Sequence, residues 1–257
     1  MDTGMPALQI AHGRGRGARD YVCAMPELVY PPVVALARAL FRILDLRITI
    51  VGGEHVPREG GAVLACNHVS YLDFIFAGFG AQPSRRLVRF MAKQEIFDNR
   101  IAGPLMRGMR HIPVDRDAGL ASYKAALAAL KEGEVVGVFP EATICQSFTV
   151  KEMKSGAARM AAAAGVPLVP MALWGTQRLW TKGRPRRLLQ RHIPISILIG
   201  EPLTIGRRGD ATSVLRQRVS ELLDRAQREY PAKPSGPDDN WWLPAHLGGG
   251  APLATRP

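Results

Sequence analysis

Gly61-Ala62-Val63-Leu64-Ala65-Cys66-Asn67-His68-Val69-Ser70-Tyr71-Leu72-Asp73-Phe74-Ile75-Phe76-Ala77 is the stretch around which the chain is organised. Val63 to Cys66 is a short apolar run without a charge, the composition of a strand buried on both faces. Phe74 to Ala77 is apolar again. Between the two runs, a histidine sits where a buried strand ends. An aspartate sits inside the turn or helix that follows. A histidine and a carboxylate held by one short turn are the parts of a general base and the group that orients it.

Working outward, the same alternation recurs. Arg47 to Val51 alternates like a strand, and Gly52-Gly53 ends it. Leu87 to Ala92 is a further strand, ending at Lys93, and Arg110 to Val114, Val135 to Phe139, Leu168 to Leu173 and Ile193 to Ile199 follow. Helical patterns lie between them. Ile101 to Met109 is a short helix. Leu120, Tyr123, Leu127 and Leu130 recur at helical spacing, with Asp117 as N-cap and Gly133 as stop. Ser155 to Ala164 is an alanine-rich helix ended by Gly165, and Leu215, Val219, Leu222, Leu223 and Ala226 mark the last helix. The reading is an α/β fold: a single domain over residues 47–230 with a mixed sheet of about seven strands flanked by helices.

Residues 1–24 read as a disordered basic tail, with Arg14, Arg16 and Arg19 among glycines and alanines. Residues 25–46 hold an N-terminal amphipathic helix that Pro32 opens. On it Leu36, Leu40, Ile43 and Leu44 share one face, while Arg38, Arg42 and Asp45 lie elsewhere. Such a helix either lies in a membrane interface or packs on the domain. Residues 231–257 read as an extended Pro/Gly-rich tail with one anchor, Trp241-Trp242.

With 34 Lys+Arg against 22 Asp+Glu, the 257-residue chain carries a net charge of +12. That implies a polyanionic partner: an anionic membrane surface, phosphorylated substrates or nucleic acid. Aromatics make up 7% of the chain, and no basic run is interleaved with them, so nucleic acid is not expected. Cys23, Cys66 and Cys145 are odd in number and have no metal-ligand spacing, as in a reduced cytosolic protein. The polar, glycine-rich start shows no secretory signal. Leu28 to Ala37 is too short to span a bilayer, and Gly165, Pro167, Pro170 and Gly175 break the longer run from Met160 to Gln177.

His68, Asp73, Lys93, Arg116 and Glu141 all fall at strand ends or in the loops just after them. In open α/β sheets, ligands bind outside the carboxyl ends of the strands. Asp73 has two compatible readings. It is the N3 residue of a helix start capped by Ser70, or it is the partner of one ring nitrogen of His68. Glu141, fixed by Pro140 at the exit of a buried strand, suits a substrate contact. Arg116, with Lys93, Lys151 and Lys154, offers cations for a phosphate.

Four blocks in order carry a resemblance. They are Asn67-His68-x4-Asp73, Gly108-x3-Ile112-Pro113-Val114-Asp115-Arg116, Phe139-Pro140-Glu141-Ala142-Thr143 and Val166-Pro167-Leu168-Val169-Pro170. Over roughly residues 45–205 the chain resembles the glycerolipid acyltransferases of the 1-acylglycerol-3-phosphate acyltransferase type. The resemblance implies that His68 deprotonates an acceptor hydroxyl and that Asp73 orients it. The oxygen then attacks the thioester of acyl-CoA or of an acyl carrier protein. By the same resemblance Arg116 binds the acceptor phosphate, helped by Lys93 and Lys154. Glu141 holds the glycerol backbone with Thr143 as a further substrate contact, and Val166 to Pro170 shapes the acyl-chain region. The expected partners are a lysophospholipid, acyl-CoA and an anionic membrane, with the enzyme peripheral or monotopic on the cytoplasmic side. No metal or cofactor is expected. One departure stands out. The family's third block reads F-P-E-G-T-R, whereas here Ala142 replaces the glycine and Ile144 the arginine. The lost arginine leaves open a lysolipid or glycolipid acceptor with a larger headgroup. Thioester hydrolysis and non-catalytic lipid binding are the rival readings.

Overall fold

The computed structural model describes residues 27–115, 119–204 and 210–253. Its strands are β1 (Arg47–Val51), β2 (Ala62–Cys66), β3 (Val88–Lys93), β4 (Ile112–Val114), β5 (Val135–Val138), β6 (Leu168–Trp174) and β7 (Pro194–Ile199). They form one seven-stranded sheet in the order β1-β7-β6-β2-β5-β3-β4. All neighbours are parallel except β6 and β7. Strands β2 to β6 therefore share one direction and place their carboxyl ends on one edge, while β1 and β7 run the other way. The mixed seven-stranded sheet agrees with the sequence reading.

The helices are α1 (Tyr30–Ile43), α2 (Asp73–Gly80), α3 (Gln94–Phe97), α4 (Ala102–Gly108), α5 (Gly119–Lys131), α6 (Gly156–Ala164) and α7 (Ala211–Arg228). Side chains alternate along β2, so both of its faces must be apolar. Ala62, Leu64 and Cys66 join Phe76 and Ala77 of α2, with Phe90, Met171 and Ile197, in one core. Val63 and Ala65 join Ala126 and Leu130 of α5, Ala157 and Ala161 of α6, and Leu215 and Val219 of α7 in the other.

This layering positions the site. The chain leaves β2 through α2 on one face to reach β3. It leaves the neighbouring β5 through α6 on the opposite face to reach β6. Adjacent strands whose connections diverge in this way leave a crevice at their carboxyl ends, the topological switch point where open α/β sheets bind ligands.

Two segments refine the sequence reading. Helix α1 begins at Tyr30 and ends at Ile43, three residues earlier at each end than a helix over 33–46 would. It packs through Tyr30, Val33, Val34 and Phe41, the last stacked on Phe76 at 4.8 Å. Three of the four residues on the predicted apolar face point outward instead, Leu36 at 71% exposure, Leu40 at 48% and Ile43 at 65%, while the fourth, Leu44, is buried just past the helix end. The segment after Tyr230 holds two 3-10 turns, Pro237–Trp242 and Ala245–Leu247. Trp241 and Trp242 are buried against Trp174, Leu223 and Tyr230, so this segment completes a third core. The basic tail expected over residues 1–24 lies outside the described residues.

Candidate active site

Asn67 extends the sheet past the end of β2. Its side-chain amide donates to the Leu173 carbonyl at 3.1 Å and its side-chain oxygen accepts the Leu173 N–H at 2.7 Å, imitating one more rung of the β2–β6 ladder. The chain is thus held straight up to the residue before His68.

There it turns, and the turn is built on Asp73. Fully buried, the Asp73 Oδ2 accepts the N–H groups of Val69 and Ser70, both at 2.7 Å, and the His68 Nδ1 at 3.0 Å. Its Oδ1 accepts the Thr176 hydroxyl at 2.6 Å. The partnership with His68 is therefore realised, but the expected cap is not: α2 starts at Asp73 itself, with Leu72 at the N-cap and no side-chain cap, so Asp73 is the first helical residue rather than N3 behind a Ser70 cap. The carboxylate nonetheless reaches back to the Ser70 N–H. The Ser70 hydroxyl, however, accepts from the Leu72 N–H and donates to the Trp180 carbonyl at 2.6 Å. A carboxylate oxygen surrounded by donors can only accept, so Nδ1 of His68 carries the proton and Nε2 is left as the basic nitrogen.

Glu141 braces the same turn from the β5 side. Its Oε1 accepts the main-chain N–H of His68 at 2.9 Å and its Oε2 that of Lys151 at 3.1 Å. Burial pushes the Glu141 carboxyl up to about 7, against the opposing pull of those two N–H groups and of the neighbouring His68 side chain. The His68 carbonyl accepts the Cys145 N–H at 2.7 Å, so the loop after β5 grips the histidine backbone at both its polar atoms.

Aromatic rings set the plane of the imidazole. Phe139 stacks on it at 4.4 Å and 25°, and Phe90 lies parallel to Phe139 at 6.1 Å. Gly137 makes this stack possible: a Cβ there would stand 2.4 Å from the Phe90 ring.

The structure thus brings His68, Asp73 and Glu141 together. Lys93 ends β3 and is exposed on the same sheet edge, paired in register with Val114 of β4. Thr143 and Lys154 are exposed on the loop after β5. Arg116 lies outside the described residues, one position beyond Asp115. Glu141, read from the resemblance as a glycerol contact, has each carboxylate oxygen accepting one main-chain N–H. Thr176 is a further site residue that the sequence reading did not single out, and Asn67, quoted there only as part of the first block, gains a role in holding the strand end. Thr176 sits 103 residues from the aspartate it serves, and nothing local marks it.

The third block's two departures fall at distinct places. Ala142 adopts a left-handed backbone with φ of 57°, which explains why glycine suits this position. Ile144 is buried at 6% exposure, so the side chain replacing the family's arginine points into the protein.

A buried-strand histidine with an oriented Nδ1–H, at the switch point of a mixed α/β sheet, is the arrangement of an acyltransferase. Residues 47–174 match the Acyltransferase family. The 1-acyl-sn-glycerol-3-phosphate acyltransferase of Bacillus subtilis is 34% identical over 204 residues, spanning 74% of this chain and 96% of that protein. A probable 1-acyl-sn-glycerol-3-phosphate acyltransferase of Mycoplasma pneumoniae is 31% identical over 156 residues, 59% of this chain and 58% of that protein. The crystal structure of the 1-acyl-sn-glycerophosphate acyltransferase from Thermotoga maritima superposes with a TM-score of 0.63 at 25% identity, covering 80% of this chain and 81% of that one. The chain belongs to the 1-acylglycerol-3-phosphate acyltransferase family.

Proposed function

We propose that the protein transfers a fatty acyl group from acyl-CoA to the free hydroxyl of 1-acylglycerol-3-phosphate in phospholipid synthesis, working at the cytoplasmic surface of a membrane. The observation that carries this reading is the His68–Asp73 pair, with Nδ1 engaged at 3.0 Å and Nε2 free to act. Nε2 takes the hydroxyl proton as the oxygen attacks the thioester carbonyl. The ester C–O bond forms, the C–S bond breaks, and the imidazolium returns the proton to the leaving thiolate. This chemistry runs on side chains alone, with acyl-CoA as a substrate rather than a resident cofactor. Arg116, Lys93 and Lys154 are the cations for the acceptor phosphate. Glu141 acts by holding the His68 backbone, and Thr143 contacts the acceptor.

Membrane contact is supported by α1. Leu36, Leu40 and Ile43 are exposed on it in a row, with Arg38 and Arg42 beside them. Among the described residues no helix is long and apolar enough to cross a membrane.

The buried Ile144 favours a second acceptor reading, a lysophospholipid with a larger headgroup. An acyl-CoA assay against a panel of lysophospholipids separates the two, with His68→Ala as control. Turnover of 1-acylglycerol-3-phosphate that vanishes in the control supports the first reading. Turnover confined to another lysolipid replaces the acceptor, and turnover surviving His68→Ala sinks the mechanism.

A further inference from the structure

The loop from β6 to β7 carries Arg178, Lys182, Arg184, Arg186, Arg187 and Arg191 and no acidic residue. Residues 182–189 are exposed throughout. Among the described residues, none of the five cations from Lys182 to Arg191 forms an ion pair with a carboxylate. Cations crowded without counter-charge repel one another, so their placement costs stability unless an anion completes it.

Three of the guanidinium groups are nonetheless fixed. Arg186 lies over the Trp180 ring at 4.3 Å, and Arg184 and Arg187 lie over Trp241 at 5.0 and 5.6 Å. Trp241 is itself buried, and Trp180 packs on Tyr71 at 4.7 Å. Stacking on an indole orders an arginine while leaving its N–H edge free for a partner. A fluid lipid surface needs only charge density. Ordered forks suit a ligand whose phosphates have fixed spacing.

The loop is also tied to the catalytic turn. The Trp180 carbonyl accepts the Ser70 hydroxyl at 2.6 Å and the Tyr71 N–H at 3.2 Å. The Thr181 hydroxyl donates to the Val69 carbonyl at 2.7 Å. The loop leaves the sheet from β6, on one side of His68. Lys93, at the end of β3, lies on the other side, beyond β5. Cations on both sides of one base match a reaction with two anionic substrates.

We infer that Arg184, Arg186 and Arg187, ordered on Trp180 and Trp241, form the site for the phosphorylated nucleotide of acyl-CoA, with the thioester reaching from there to His68. This rests on the donor reading given above. Lys93, beyond β5, then serves the acceptor alone.

The test compares wild type with the Arg184→Gln/Arg186→Gln/Arg187→Gln protein and with Arg186→Gln. The donors are acyl-CoA and acyl-pantetheine of the same chain length, the latter without nucleotide phosphates. In the triple variant KM for acyl-CoA rises about tenfold or more, since charge-assisted contacts are the strong ones. KM for acyl-pantetheine and for the acceptor holds. In wild type, adenosine 3′,5′-bisphosphate competes with acyl-CoA and adenosine does not, a reading independent of how the variants fold. An unchanged KM for acyl-CoA, an equal loss with acyl-pantetheine, or no competition by the bisphosphate overturns the inference. So does a variant that only sheds anionic vesicles, which would make the loop, with its exposed Leu188 and Leu189, a membrane contact. Wild type that is inert with acyl-CoA but active with an acyl carrier protein thioester removes the donor reading itself, before any variant is made.

Discussion

The Glu141 carboxylate accepts the main-chain N–H of His68 at 2.9 Å from inside the protein, where burial raises its pKa to about 7. The folded state therefore holds that proton more tightly than the unfolded chain does. Between the ordinary carboxylate value of 4.5 and about 7, the folded protein binds more protons and loses stability as pH rises. The Glu141 contribution is full below that window and is lost as pH passes through it, with a slope of up to about 1.4 kcal/mol per pH unit. Thermal unfolding of wild type and Glu141→Gln across this range measures it. The variant is less stable at low pH, because its amide cannot accept both N–H groups, and its midpoint lacks the wild-type decline. Parallel pH profiles would show that Glu141 does not titrate in that window.

The Thr176–Asp73 contact makes a separate prediction. Asp73→Asn removes the acceptor that fixes the His68 tautomer, and kcat falls by roughly 10²–10⁴-fold. Thr176→Val leaves the carboxylate in place but frees its Oδ1, and kcat falls by about tenfold with the acceptor KM held. Steady-state kinetics on both variants checks this. A Thr176→Val protein with wild-type kcat would mean that Oδ1 needs no partner.

Ala142 predicts a gain. Its left-handed backbone costs about 1 kcal/mol that glycine would not. Ala142→Gly raises the unfolding midpoint by a few degrees and leaves turnover intact. Differential scanning calorimetry reads the shift, and a lowered midpoint would place the strain elsewhere.

Leu36 and Leu40 predict separable effects on binding and stability. Both are exposed, so Leu36→Glu/Leu40→Glu leaves the unfolding midpoint in place and lowers co-sedimentation with anionic vesicles by roughly tenfold or more. Truncation before residue 47 is the wrong experiment, because Tyr30, Phe41 and Leu44 pack on the domain. Unaltered sedimentation would leave the outer stripe of α1 without a membrane role.

What the sequence made legible follows from range. Strand β2, the His68 turn and α2 are contiguous, and burial on both faces forces the apolar run that marks them. His68, Asp73 and Glu141 stood out because each follows a strand whose end is visible locally. Helix α1 was found, but not its inner face. Tyr30, Val33, Val34 and Phe41 form one apolar stripe and Leu36, Leu40 and Ile43 another, and periodicity cannot say which meets the sheet. Helix α3 spans four residues, too few for any period to show. Thr176 and Trp241 act on partners far away in the chain, so neither could be read from its surroundings. The sequence reading found no basic run interleaved with aromatics, yet Arg178, Lys182, Arg184 and Arg186 surround Trp180 in one short loop; only Trp241, which orders Arg184 and Arg187, lies more than fifty residues beyond them.

The rings of Phe90, Phe139 and His68 lie one on another, from the core outward, and Gly137 leaves room for the first. The base is therefore the top layer of a column whose height is set at its foot. A methyl group added at residue 137 would be transmitted upward ring by ring and would tilt the imidazole without touching it. In this protein, the tuning of the reactive nitrogen begins three layers down, in the hydrophobic interior.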